Sequence, residues 1–446
     1  MQRTLSAVLL ICLFAIPAYA GQPETIGRAL KAMPWLEEAG GDIPFQAVRI
    51  ETIPILAGLP TKTEYYDIDP EVVASGYSYF YYVQGVDRDY IVGSTFNLVK
   101  LCRELAVVEE LKKKNKGKEI ASSVGDTFKG IGAGLGNLVA HPGVSMKNMG
   151  ESFRSMGRSV ERVVGSDPKV GGDERGVDRS NLGAGPAGDI RRAMAYRLGV
   201  DVYTDNPDLK AILTELSRVK ELGALTSWIV PYGLSMLDYC NPLFGDEETE
   251  ILIRDQNPAD LRRQVGKNLS PIFNMDREDR GNPLGRLLAN PNYTPREIAY
   301  IGKDLHDLSR AQNLALVLDT LSRAETPEMA DLMAIELRLY AFYNNRIGRI
   351  GAFVPFRNFF ASVGQDRVFR FFFLADTIRP WSHSAAAFDD MIREAMAVKA
   401  AGLEVWTTAD IDRALIENAK SRGVTVYDNI FMNKTYFPKA EQGKRK

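Results

Sequence analysis

Residues 369–427 read FRFFFLADTIRPWSHSAAAFDDMIREAMAVKAAGLEVWTTADIDRALIENAKSRGVTVY, and their changes of period decide the fold class. Phe369–Ala375 is apolar at every position but Arg370, as in a strand covered on both faces. Ala385–Ala400 predicts a helix and Leu403–Trp406 a second strand. Thr408–Arg422 predicts a helix capped by Thr408 and carrying Ile411, Ala414, Leu415 and Ala419, and Val424–Tyr427 a third strand. Gly402 and Gly423 mark the returns. Strand, helix, strand, helix, strand implies right-handed crossovers and a small parallel sheet, here a unit over 348–432.

Open α/β sheets bind ligands beyond the carboxyl ends of their strands. Asp376, Thr377, Arg379, Trp381, Ser382 and His383 follow the first strand, and Thr407, Thr408 and Asp410 the second. Asp376, Arg379, His383, Thr408 and Asp410 are therefore the ligand-binding candidates, with Asp376 and Asp410 suited to a polar ligand or a cation. Helix caps and loop residues are the competing reading.

Upstream, residues 189–347 have the period of helices and predict a compact bundle or array. Asn206-Pro207 caps a helix carrying Leu209, Ile212, Leu213, Leu216 and Val219, and Asn257-Pro258 and Ser270-Pro271 repeat the pattern. Thr294 with Glu297 three residues on forms a capping box. Leu305–Leu321 and Pro327–Tyr343 predict two long amphipathic helices. Within this region, Arg197-Leu198-Gly199-Val200-Asp201-Val202-Tyr203-Thr204-Asp205-Asn206-Pro207-Asp208-Leu209 resembles an LGVDxYTxNxxL signature of exported bacterial proteins. That signature, too, follows a Gly-rich amphipathic stretch, and the likeness extends in outline over Tyr77–Asn345. The resemblance implies a secreted protein and brings no catalytic residues with it.

Residues 21–118 predict a small α+β unit. Ile43–Ala57, broken by Pro44 and Pro54, suits edge strands, and YSYFYYVQ at Tyr77–Gln84 turns through Gly85–Asp89 into Tyr90-Ile91-Val92 as a hairpin. Ser94 offers a cap to a helix carrying Phe96, Val99, Leu101, Leu105, Val108 and Leu111. It ends in a Lys cluster, Lys112–Lys118, that is either a solvated helix end or a patch for anionic lipid.

Between the two regions lies VGDTFKGIGAGLGNLVAHPGVSMKNMGESFRSMGRSVERVV, Val124–Val164. Val124, Phe128, Ile131, Leu135 and Leu138 fall on one stripe, and after His141-Pro142-Gly143 the spacing resumes with Met149, Phe153, Met156, Val160 and Val163. Arg154, Arg158 and Arg162 run beside the second stripe. Two amphipathic helices around a Pro-Gly corner, within 119–165, are expected. Gly130, Gly132, Gly134 and Gly136 permit close approach of another backbone. Three readings follow: a hairpin packed on the body, a pair lying in a lipid interface, or a Met-rich docking surface. For the last two, Phe128, Ile131, Leu135, Met149, Phe153, Met156, Arg154, Arg158 and Arg162 are the contact residues. Residues 166–188, rich in Gly, Asp and Arg, read as a linker without the spacing of a calcium loop, and 433–446 as a disordered tail.

The first twenty residues carry Arg3, an apolar run from Leu5 to Ile16 and Ala18-Tyr19-Ala20 before Gly21, which is the pattern of a secretory signal. Export to the periplasm or beyond, soluble or peripheral to a membrane, is the expectation. Cys102 and Cys240 are then too few for a disulfide framework, leaving a buried thiol or a single bridge. With 55 Lys plus Arg against 57 Asp plus Glu there is no basic field to hold nucleic acid. No Gly-x-Gly-x-x-Gly, Walker or Gly-x-Ser-x-Gly pattern occurs, and His141, His306 and His383 are too scattered for a metal motif. No cofactor, metal or catalytic residue is therefore predicted. The sequence favours an exported, non-enzymatic envelope protein that contacts lipid or an envelope partner through 124–164. A ligand-binding protein or hydrolase-type enzyme with its site at the C-terminal strand ends is the alternative.

Overall fold

The computed structural model describes residues 48–52, 56, 59–75, 78–115, 186–204, 206–218, 246–356, 359–378 and 382–430. The signal-like segment, the 119–165 pair, most of the linker, Cys240 and the tail lie outside them, and so does the proposed bridge to Cys240. The fold is α+β, with a sheet towards each end of the chain and helices between.

The amino-terminal sheet is antiparallel: β1 (Val48–Glu51), β2 (Tyr66–Ile68), β3 (Glu71–Ser75), β4 (Ser78–Gly85) and β5 (Asp89–Gly93). The expected hairpin is β4–β5, and β3 and β2 add to the other side of β4. Helix α1 (Thr95–Asn115) starts at Ser94, whose Oγ accepts the N–H of Asn97 at 3.2 Å. It buries Leu98, Cys102 and Leu105 against Tyr79, Tyr81 and Val83 of the sheet. Further along, Val107, Val108 and Leu111 pack on Met194, Ala195 and Leu198 of α2 (Pro186–Leu198) and on Leu209, Ile212 and Leu213 of α3 (Pro207–Arg218). Helix α2 begins three residues inside the predicted linker, with Pro186 at its first turn.

The helical part continues with α4 (Glu247–Asp255), α5 (Pro258–Phe273), α6 (Pro283–Ala289), α7 (Pro295–Asp307), α8 (Leu314–Ser322) and α9 (Pro327–Arg346). Asn257 caps α5, and Thr294 with Glu297 forms both bonds of the capping box on α7. Ser270-Pro271 caps nothing: Pro271 lies in the last turn of α5, which runs on to a left-handed Asn274. The expected Leu305–Leu321 helix is two helices. Gln312 leaves the helical path to pair with the sheet edge, its N–H on Gly351 O and its carbonyl on Phe353 N–H, and left-handed Asn313 restarts the chain. Helices α5 and α7 approach closely at Gly302, where a Cβ would stand 2.7 Å from Val265 Cγ1.

The carboxy-terminal sheet is mixed rather than purely parallel. Its order is β12 (Val424–Tyr427), β10 (Gly402–Thr407), β8 (Val368–Phe373), β7 (Phe359–Gly364), β6 (Ile350–Phe356). The three predicted strands pair in parallel as expected, while β6 and β7 add an antiparallel hairpin to β8. A short pair, β9 (Thr377–Ile378) with β11 (Asp410–Ile411), extends β8 and β10. Helices α10 (Ser382–Ala397) and α11 (Arg413–Ser421) supply the crossovers. The cap of α11 is Asp412, accepting from Ala414 N–H, not Thr408. Both faces of the sheet are covered, which is why the Phe run does not alternate. Phe369, Phe371 and Phe373 meet Met391, Ala395, Leu415 and Ala419 of α10 and α11, while Phe372 and Trp406 meet Tyr340 and Tyr343 of α9.

Candidate functional site

The carboxyl ends of β8 and β10 are where a ligand was expected, and Asp376 stands there. Its carboxylate accepts the backbone N–H of Tyr79 in β4 (Oδ2, 2.9 Å) and of Thr95 at the first position of α1 (Oδ1, 2.9 Å). An aspartate oxygen at a helix N-terminus satisfies an otherwise orphaned donor and complements the helix dipole. Here the aspartate comes from the far end of the chain. Loss of solvent pushes the Asp376 carboxyl up to about 6, against the two N–H bonds, which pull it down. Its neighbours are equally committed to the fold. Thr408 Oγ1 donates to Ala375 O at 2.6 Å and accepts the Ala375 N–H at 3.0 Å, so it ties the β10 end to the β8 end. The backbone N–H of Asp410 donates to Asp376 O at 2.9 Å within the β9–β11 pair. His383 lies in α10, and Arg379 and all nine residues proposed for lipid or partner contact, from Phe128 to Arg162, lie outside the described residues. The structure thus brings Asp376, Thr408 and Asp410 together, but as parts of a joint between the N-terminal unit and the strand ends.

A second joint lies in the stretch that carries the resemblance. Gly199 is left-handed (φ +64°), and its Cα faces the Arg103 guanidinium so closely that a Cβ would sit 2.2 Å from Nη2. The Asp201 carboxylate accepts the Tyr203 N–H at 2.9 Å and is flanked by Lys100 Nζ of α1 (3.3 Å) and Arg296 Nη1 of α7 (3.6 Å). Burial opposes its ionisation, but the two cations and the N–H outweigh it and hold the carboxyl well below the usual carboxylate range. Asn206 Oδ1 caps α3 by accepting the N–H of Asp208 and Leu209. Asp208 in turn accepts from Arg88 Nη2 (2.9 Å) and the Tyr90 hydroxyl (3.2 Å), which fastens the β4–β5 hairpin to the helices.

The charges continue inward. Arg296 Nη2 reaches Glu250 of α4 at 2.6 Å, the Tyr300 hydroxyl donates to the same oxygen, and the Arg338 guanidinium lies 3.9 Å over the Tyr300 ring. Arg338 also meets Asp304 at 3.2 Å. Burial pushes the Asp304 carboxyl up to about 6, with Arg338 opposing. This relay of opposite charges over α1, α4, α7 and α9 binds elements together and offers no pair of nucleophile and base. Glu250, Arg296, Asp304 and Arg338 escaped the sequence reading because pairing between distant helices leaves no local pattern.

Other candidates take their bland roles. His306 is exposed in the last turn of α7. Cys102 is fully buried, and burial pushes its thiol up to about 12, which leaves it unreactive. Among the described residues no group of three or more His, Cys, Asp or Glu side chains could hold a metal ion. No family model matches the chain, and no curated protein or solved structure is measurably similar to it.

Proposed function

We propose that this is an exported, non-enzymatic, envelope-associated protein whose Val124–Val164 segment contacts membrane lipid or an envelope partner. One observation supports the reading: the helices on either side of the segment, α1 and α2, are held in one core of Val107, Val108, Leu111, Met194, Ala195 and Leu198. The amphipathic, Gly-rich segment is thus joined at both ends to helices that share one core. The Phe, Met and Arg rows of that segment are those of an interfacial helix pair. No helix among the described residues is long and apolar enough to cross a membrane. The ligand-binding alternative has less support, because Asp376 and Thr408 are engaged in joining the strand ends to their neighbours.

The test is sedimentation with anionic phospholipid vesicles, paired with fractionation of the native host under high-salt and carbonate washes. The wild type is expected in the vesicle pellet, released by carbonate, and the Phe153→Asp, Met156→Asp double variant in the supernatant with an unchanged melting curve. Equal sedimentation of the two proteins, or recovery of all native protein in the soluble periplasm, would remove the lipid reading.

A further inference from the structure

We propose that the edge of the C-terminal sheet where β6, β8, β10 and β12 begin and β7 ends is a second lipid-contacting surface, fitted to the anionic headgroups of a phospholipid bilayer. It extends the lipid reading of 124–164 to the body of the protein and rests on that reading. Topology assembles the edge. The register pairs Ile350 with Gly364, Val368 with Gly402 and Leu403 with Val424, so these strand ends lie side by side over roughly 20 Å. Helix α9 runs back along β8, with Tyr340 and Tyr343 against Phe372 and the Arg370 guanidinium over the Tyr343 ring, and so ends at the same edge. The crossovers bring the ends of α10 and α11 there too. Four connections therefore meet: 347–349, 365–367, 398–401 and 422–423.

Three of the four large hydrophobic side chains exposed among the described residues stand on this edge: Ile347 (38 %), Met396 (73 %) and Val398 (39 %). Around them are Arg346, Arg349, Arg367, Lys399 and Lys420, all exposed and, among the described residues, outside any ion pair. The exposed carboxylates nearby are taken, Asp366 by Arg370, Asp389 by Arg422 and Glu417 by Arg413, while Arg393 and Glu394, a turn further up α10, offset each other. The C-termini of α9, α10 and α11 subtract roughly half a charge each, which leaves the edge roughly three positive charges. The chain as a whole is close to neutral, with 55 Lys plus Arg against 57 Asp plus Glu. Two of the cations occupy backbone that favours glycine. Arg367 (φ +60°) and Lys399 (φ +52°) are left-handed, and Lys399 closes α10 with its N–H on Met396 O and the Ala400 N–H on Ala395 O, both at 2.9 Å. Aliphatic tips ringed by cations suit a bilayer interface, where the tips enter between headgroups and the cations meet phosphates. An acidic polypeptide or a nucleic acid would use the cations and leave Met396 and Val398 in water.

A partition titration of the full chain decides it, on vesicles of phosphatidylcholine alone and of equimolar phosphatidylcholine and phosphatidylglycerol. Wild type is expected to bind the anionic vesicles and not the neutral ones. The triple variant Arg346→Gln, Lys399→Gly, Lys420→Gln changes only exposed positions, and glycine suits the left-handed backbone at 399. It is expected to bind about a hundredfold more weakly, at about fivefold per cation, with an unchanged melting curve. Met396→Ser with Val398→Ser is expected to weaken binding several-fold. Edge and segment act jointly on one surface, and their failures separate. Edge variants that bind like wild type overturn the proposal whatever Phe153→Asp with Met156→Asp does. Weakened edge variants beside an unaffected Phe153→Asp, Met156→Asp protein uphold the edge and remove the segment reading. A wild type that ignores anionic vesicles overturns the proposal. So does undiminished binding by the Met396→Ser, Val398→Ser protein, and competition by poly-glutamate would then mark an acidic polypeptide as the partner.

Discussion

Single carboxyl groups set much of the pH behaviour expected of this protein, and they act in opposite senses. Asp201 is held ionised by Lys100 and Arg296. Because its folded carboxyl sits below the unfolded one, its contribution to stability is full above about pH 4 and is lost as the pH falls further. Asp201→Ala removes the carboxylate shared by the half-buried Lys100 and Arg296 together with its bond to the Tyr203 N–H, and is expected to cost about 1–2 kcal/mol at pH 7 in urea unfolding, with the difference shrinking only as the pH falls below about 4. Glu336 is the reverse case. It is 2 % exposed, its Oε1 has no hydrogen-bond partner among the described residues, and burial pushes it up to about 8. The folded state then binds the proton more tightly than the unfolded state, so stability falls as the pH rises from about 4.5 to 8. Glu336→Gln is expected to abolish this fall, with the variant gaining on the order of 2–4 kcal/mol over wild type between pH 5 and pH 8 in paired denaturation curves.

Helix starts were the most legible elements, because a cap is a contact between residues two or three apart. Asn206, Asn257 and Thr294 all stand where the sequence puts them. Thr294→Ala should lower stability by about 1 kcal/mol, read as a drop in melting temperature, since it removes the Thr294 Oγ1 that accepts the Glu297 N–H while the bond from the backbone N–H of residue 294 to the Glu297 carboxylate stays. The Phe369–Ala375 strand was legible for a different reason: burial on both faces leaves an unbroken apolar run. The β6–β7 hairpin was not, because Gly351 and Pro355 interrupt Ile350–Phe356 and the pairing that rescues them is with β7 and with Gln312. The same pairing explains the break before α8, where helical period in the sequence yielded to a sheet edge needing cover. Thr408 was misplaced as a cap because a threonine before a helical stretch carries the same letters whether it bonds the helix or the neighbouring strand.

Over the whole molecule, the two joints make the N-terminal unit a fitted part rather than an appendage. Asp208 and Asp201 hold it to the helices, and Asp376 holds it to the C-terminal sheet. Of the proposed site only the location at the strand ends could be read from sequence. That Asp376 serves backbone N–H groups could not, since every residue carries such a group and its position marks nothing in the sequence. The Asp376 contact also has a bearing on how the chain folds. A bond between residue 79 and residue 376 is among the most non-local a chain of this length can make, and closing so long a loop is entropically slow. The corner where β4 and α1 begin does not gain its Asp376 acceptor until the end of β8 is in place. Refolding followed at Tyr79 should therefore lag behind refolding followed at Trp406, and a chain made from its amino end lacks this contact until residue 376 has been delivered.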